Sequence, residues 1–110
     1  MKELDKTWCP AIELNETDRD LILKAELPGV EIKHLNISAE PKSIAISGIH
    51  ARHLSSNEKE LISSQLHYGR LKCSVTLPEE IRVNSVSAEL VDGVLTVAMP
   101  KKVRVAKLSR

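Results

Sequence analysis

Four histidines and two cysteines are the side chains of this 110-residue sequence best suited to metal or redox chemistry, and their spacing argues against both. His34, His50, His53 and His67 fall in or beside expected turns and one long polar stretch. His50 and His53 are three apart and His67 could complete a set, but no Cys, Asp or paired carboxylate accompanies them at the intervals zinc sites use. They read as solvated loop histidines. Cys9 and Cys73 stand alone, without a C-x-x-C or Cys/His pattern, so neither a zinc centre nor a thiol redox motif is indicated and reduced thiols are expected. Glu79-Glu80 is a carboxylate pair in name only, because neighbours in an extended segment point to opposite sides. The glycines are scattered singly and form no phosphate-cradling loop. Catalysis requires a nucleophile, a base and an orienting group to converge. Nothing in this residue order supplies them, so no enzymatic activity, no metal and no cofactor is expected.

The elements that hold these residues are short strands. Apolar residues alternate with polar ones in Leu21-Leu23-Ala25-Leu27, Leu35-Ile37-Ala39, Ile44-Ile46, Leu71-Cys73-Val75-Leu77, Val86-Ala88-Leu90 and Leu95-Val97-Met99. That period of two places one apolar face inward. Turn signals separate the runs at Thr17 to Asp20, Pro28-Gly29, Glu40-Pro41-Lys42, Pro78-Glu79-Glu80 and Asp92-Gly93, the last reading as a hairpin turn. The pattern predicts an all-β chain, a two-layer antiparallel β-sandwich of immunoglobulin-like type. Residues 51–66 interrupt it with a long polar excursion of the kind that is functional or disordered in compact domains. Ser55 and Glu58 could alternatively cap a short helix through Leu61 and Ile62.

A chain of this length holds one core. A net charge of +1 with acids and bases interspersed gives no clustered basic surface for phosphates, and with one Trp, one Tyr and no Phe there are no stacking platforms, so nucleic acid is excluded as a partner. No apolar run approaches the ~20 residues of a membrane helix, and the polar N-terminus lacks the apolar region of a signal peptide. No membrane partner and a cytoplasmic location are expected. The organisation reads as a short N-terminal segment at 1–10, the sandwich at 11–100 and a solvated basic tail at 101–110.

Three segments in order carry a resemblance: Ala25-Glu26-Leu27-Pro28-Gly29-Val30, then Tyr68-Gly69-Arg70-Leu71 running to Leu77-Pro78, then Gly93-Val94-Leu95-Thr96-Val97-Ala98-Met99-Pro100-Lys101. Together they resemble the small heat-shock protein family, whose shared module is the alpha-crystallin domain, over about residues 11–100. Where the family has Gly-Arg-Phe-x-Arg-x-Phe-x-Leu-Pro, this sequence has Leu71 and Val75 for the aromatics and Cys73 for the second arginine. A guanidinium fork, with any interface ion pair it anchors, is thereby lost. Cys73 shares a row with Leu71 and Val75 and is expected to be buried as a small hydrophobe.

The resemblance implies an ATP-independent holdase chaperone that binds partly unfolded client proteins and works as a homodimer or small homo-oligomer. It implies a groove between the strands at 35–39 and 86–91, lined by Leu35, Ile37, Val86, Ala88 and Leu90, that receives an Ile-x-Ile type segment of a neighbouring chain. Ile37 and Ala88 could equally be ordinary core residues. Val103 and Val105 flank one residue and so would face one side of a strand as that segment, or the tail is a solubilising appendage. The excursion, with His53, Leu54, Leu61 and Ile62, is implied to be a dimerisation loop that passes a strand to a partner. The alternative functions are a non-catalytic CS-type co-chaperone adaptor, which typically lacks such a loop, and a self-assembly module.

Overall fold

The computed structural model describes residues 7–52, 55–64 and 66–102. Among the described residues seven strands run β1 (Ile12–Glu16), β2 (Asp20–Glu26), β3 (Leu35–Glu40), β4 (Ser43–His50), β5 (Gly69–Thr76), β6 (Ser87–Val91) and β7 (Val94–Pro100). They form a four-stranded sheet ordered β1-β2-β7-β6 and a three-stranded sheet ordered β3-β4-β5, with every strand pair antiparallel. The expected all-β sandwich is what the chain adopts. No helix among the described residues is long and apolar enough to cross a membrane.

Register explains why the alternating rows face each other. In the centre of the larger sheet Leu21 lies opposite Met99, Leu23 opposite Val97 and Ala25 opposite Leu95, and all six are buried. In the smaller sheet Ile46 is flanked by Ile37 on one side and Cys73 on the other, and Ile44 by Ala39 and Val75. Leu27, Val30, Leu77 and Ile81 close the ends of this aliphatic core. Fully burying each such large side chain is worth roughly 1.5–3 kcal/mol, which compensates for the scarcity of aromatics.

Asp92 and Gly93 both adopt positive φ, 52° and 81°, and join Val91 to its partner Val94 in a two-residue turn, as the Asp-Gly pair predicts. Between β4 and β5, residues 55–64 form turns, and neither strand nor helix occurs among the described residues of the excursion. One of the two contacts of a capping box is nevertheless present, the Ser55 N–H donating to the Glu58 carboxylate at 2.9 Å, while the Ser55 Oγ accepts from the Asn57 N–H at 3.3 Å and the Glu58 N–H donates to the Ser55 carbonyl at 3.0 Å. They close a turn that no helix continues.

Candidate partner-binding surfaces

Among the described residues the two sheets end in the strands β1 and β6 and in β3 and β5, the edge of β5 being partly taken by Trp8. Unpaired edge N–H and C=O groups are where a folded sheet can add a strand from another chain.

The β3 and β6 edges carry the residues expected to line a groove. Leu35, Ile37 and Ala39 face inward on β3 but are only half-buried, and Val86 and Leu90 are likewise half-buried while packing against the core. Ala88 lies opposite Val97, whose side chain is completely buried, so the two share the core-facing side of the sheet. Yet Ala88 is exposed. The inner face of β6 therefore extends beyond what the opposing sheet covers. Ile37 is half-buried and packs against the core, whereas Ala88 is exposed.

The excursion presents apolar side chains to solvent. Leu61 is 88% and Ile62 77% exposed, and Leu66 is exposed beside them. Arg52 pairs with Glu60 at 3.3 Å and the Ser64 N–H donates to the same carboxylate at 2.7 Å. The Ser64 hydrogen bond, and then Arg52, hold the Glu60 carboxyl below the ordinary glutamate range. His53 and Leu54 lie outside the described residues, as do Val103 and Val105.

The tail begins as a fixed strap rather than a solvated one. Lys101 is buried, bridges Ile81, and its ammonium contacts Glu16 at 2.8 Å and Glu79 at 3.5 Å. Its N–H donates to the Arg19 carbonyl, and that of Lys102 to the Glu80 carbonyl. Glu79 and Glu80 thus take separate lysine partners and do not act as a carboxylate pair. Sequence reasoning missed this anchor because Lys101 opens a basic run that looks solvated.

At the β5 edge two expectations are corrected. Trp8 pairs in parallel with Leu71, its N–H donating to the Arg70 carbonyl at 3.2 Å and its own carbonyl accepting from the Lys72 N–H at 3.0 Å. This pairing sets Cys9 beside Cys73, with Cα atoms 5.2 Å apart, and the two are joined in a disulfide. They are not lone reduced thiols, because a separation of 64 residues along the chain is closed through space by one bridge. Cys73 is buried at 6% exposure, as its row predicts. Of the histidines, His34 and His67 are exposed as expected, His53 lies outside the described residues, and His50 departs from the expectation. His50 is half-buried at the end of β4, and its Nδ1 lies 2.6 Å from the His67 carbonyl. A carbonyl can only accept, so Nδ1 carries the proton in this contact. His67 stacks on the Trp8 indole with ring centres 5.1 Å apart, and Tyr68 packs against His50 at 4.8 Å. These rings, with Pro10, Pro28, Gly29 and Leu66, border a hollow of about 610 Å³. Among the described residues the buried indole Nε1 has no hydrogen-bond partner.

The known proteins that this chain resembles agree with this architecture. It is 32% identical over 95 residues to spore protein SP21 of Stigmatella aurantiaca, an alignment covering 86% of this chain and 56% of that one. The chain thus spans little more than half of that relative's length. Among solved structures, heat shock protein 16.0 from Schizosaccharomyces pombe superposes with a TM-score of 0.80 at 24% identity, covering 93% of this chain and 94% of that one. A small heat-shock protein from Xylella fastidiosa, described as having a distinct high order structure, superposes with a TM-score of 0.74 at 25% identity over 96% and 94% of the two chains. The model of the Hsp20/alpha crystallin family matches residues 13–110, and with the sandwich, its strand order and these relatives it establishes that the chain belongs to that family.

Proposed function

We propose that this chain is an ATP-independent holdase, which binds partly unfolded proteins by burying their apolar segments and so keeps them from aggregating. Ala88 carries the reading: a residue on the core face of β6 that no layer covers. A second apolar chain laid between β3 and β6 would cover Ala88 and complete the burial of Leu35, Ile37, Val86 and Leu90. Such burial is non-directional, so many client sequences satisfy it. Membership of a family of non-enzymatic chaperones supports the same reading.

The working unit in this reading is a cytosolic homodimer or small homo-oligomer. The exposed Leu61 and Ile62 of the excursion are the contacts it offers to a partner, and the unpaired edge of β1 is where an exchanged strand would add. Val103 and Val105 are the segment proposed to enter a neighbour's groove. The anchoring of Lys101 and Lys102 gives that segment a fixed point of departure.

Light scattering from a heat-labile enzyme, without nucleotide, tests the proposal. Suppression at near-stoichiometric ratio is expected. Replacing Leu35 and Leu90 by Glu removes two apolar contacts of roughly 1.5–3 kcal/mol each when fully buried, so the double variant should need at least about tenfold more protein for equal suppression. Equal protection by a folded double variant would place client binding elsewhere. No protection by an intact wild-type dimer would favour an adaptor or self-assembly role.

A further inference from the structure

We propose that Cys9 and Cys73 form a redox-operated latch, which holds residues 7–9 along the outer edge of β5 when oxidised and releases them when reduced. Three observations carry this. The described part of the segment is held to β5 by a single paired residue, Trp8, through two backbone hydrogen bonds to Arg70 and Lys72. The disulfide sits immediately beside that pairing, on Cys9, which is exposed and so open to attack by an external thiolate, while Cys73 is buried. The continuous core of the sandwich includes neither cysteine. Breaking the bond therefore leaves that buried cluster in place, and the one core contact that release gives up is the packing of the partly buried Trp8 against it.

Release would uncover the outward-facing Arg70 carbonyl and Lys72 N–H of β5, withdraw the indole from its stack on His67 and open one wall of the neighbouring hollow. It would also return the unpartnered indole N–H to water, which is a local gain on the released side. The latch then sets the covalent tie beside the contacts of one residue, the two backbone hydrogen bonds of Trp8 and the packing of its indole.

The exchange balances with a small thiol couple. A dithiol such as dithiothreitol attacks the Cys9 sulfur through its thiolate, the sulfur–sulfur bond breaks, and Cys73 leaves as a thiolate that takes up a proton. The second thiol of the reagent then closes on the mixed disulfide and frees Cys9, leaving cyclic oxidised dithiothreitol. In the reverse direction oxidised glutathione accepts two electrons and two protons from the protein thiols and departs as two glutathione molecules.

Trp8 is the only tryptophan, so its emission reports the latch directly. The full chain is equilibrated with dithiothreitol or with oxidised glutathione, and tryptophan emission, acrylamide quenching, intact mass and amide exchange are read. On reduction we expect a red shift, stronger quenching and exchange at the Lys72 amide faster by at least about tenfold, with the β2 and β7 amides unchanged. The Cys9→Ser variant should show the released emission under both conditions. Two free thiols persisting in oxidised glutathione, or a bond formed only between chains, would overturn the proposal. So would identical Lys72 exchange in both states. Loosening of β2 and β7 together with Lys72 would also overturn it, because the bond would then be holding the whole sandwich.

Discussion

A single lysine shows how much a partly buried charge depends on its partners. The Lys101 side chain is 9% exposed, and its ammonium is tolerable there because Glu16 and Glu79 surround it. The Glu16 hydrogen bond raises its pKa above the ordinary lysine value; desolvation opposes the shift, and the attraction of both carboxylates adds to it. A folded-state pKa above the unfolded one means that the ion pair stabilises the fold fully below the unfolded lysine value of about 10.4 and fades as pH rises through the folded value. Replacing Lys101 by Met should therefore lower the melting temperature near neutral pH, and the gap to wild type should narrow above about pH 10.4. Melting curves of both proteins across that range check it. A gap that stays constant with pH would show that packing of the aliphatic stem, not charge, fixes the strap from which the tail departs.

At the scale of elements, the β3 side of the proposed groove depends on how closely β3 approaches β4. Gly48 lies opposite Leu35, and a Cβ placed there would stand 2.5 Å from the His34 carbonyl oxygen and 3.0 Å from Leu35 Cδ2. The first of these is backbone and cannot rotate aside. Gly48→Ala should thus push the start of β3 outward and cost about 1–3 kcal/mol, seen as a lower urea midpoint. An unchanged midpoint would mean that this rim yields freely. Six strands were legible because each shows a row of alternating apolar residues long enough to set a face. β1 sends only the half-buried Leu14 against the core, and so leaves too short a row to read. Alternation also states which face a residue occupies but not whether another layer covers it, which is why Ile37 and Ala88 could not be resolved from sequence. The Trp8–Leu71 bridge and the disulfide beside it were invisible for a related reason. They are contacts between distant parts of the chain with no periodic signal behind them.

For the whole molecule, the proposed role of the excursion in pairing two chains can be separated from its role in the fold. His50 and Gly69, the ends of β4 and β5, are cross-strand partners, so the chain leaves and re-enters the sandwich at one place and a much shorter connection could close it. None of the described residues between 51 and 66 belongs to the buried core. Loop-closure entropy changes only slowly with length, so deleting Ser55 to Ser64 should leave the circular dichroism of the sandwich intact. What the deletion removes is Leu61 and Ile62, apolar surface too exposed to serve this chain's own core. If these residues and the strand passed to the β1 edge build the dimer, native mass measurement over a dilution series should find dimers of the full chain and monomers of the deletion. A folded deletion that stays dimeric would rule out strand exchange through this loop. The pairing would then have to be sought at another of the open edges, with β5 available only when Trp8 no longer occupies it.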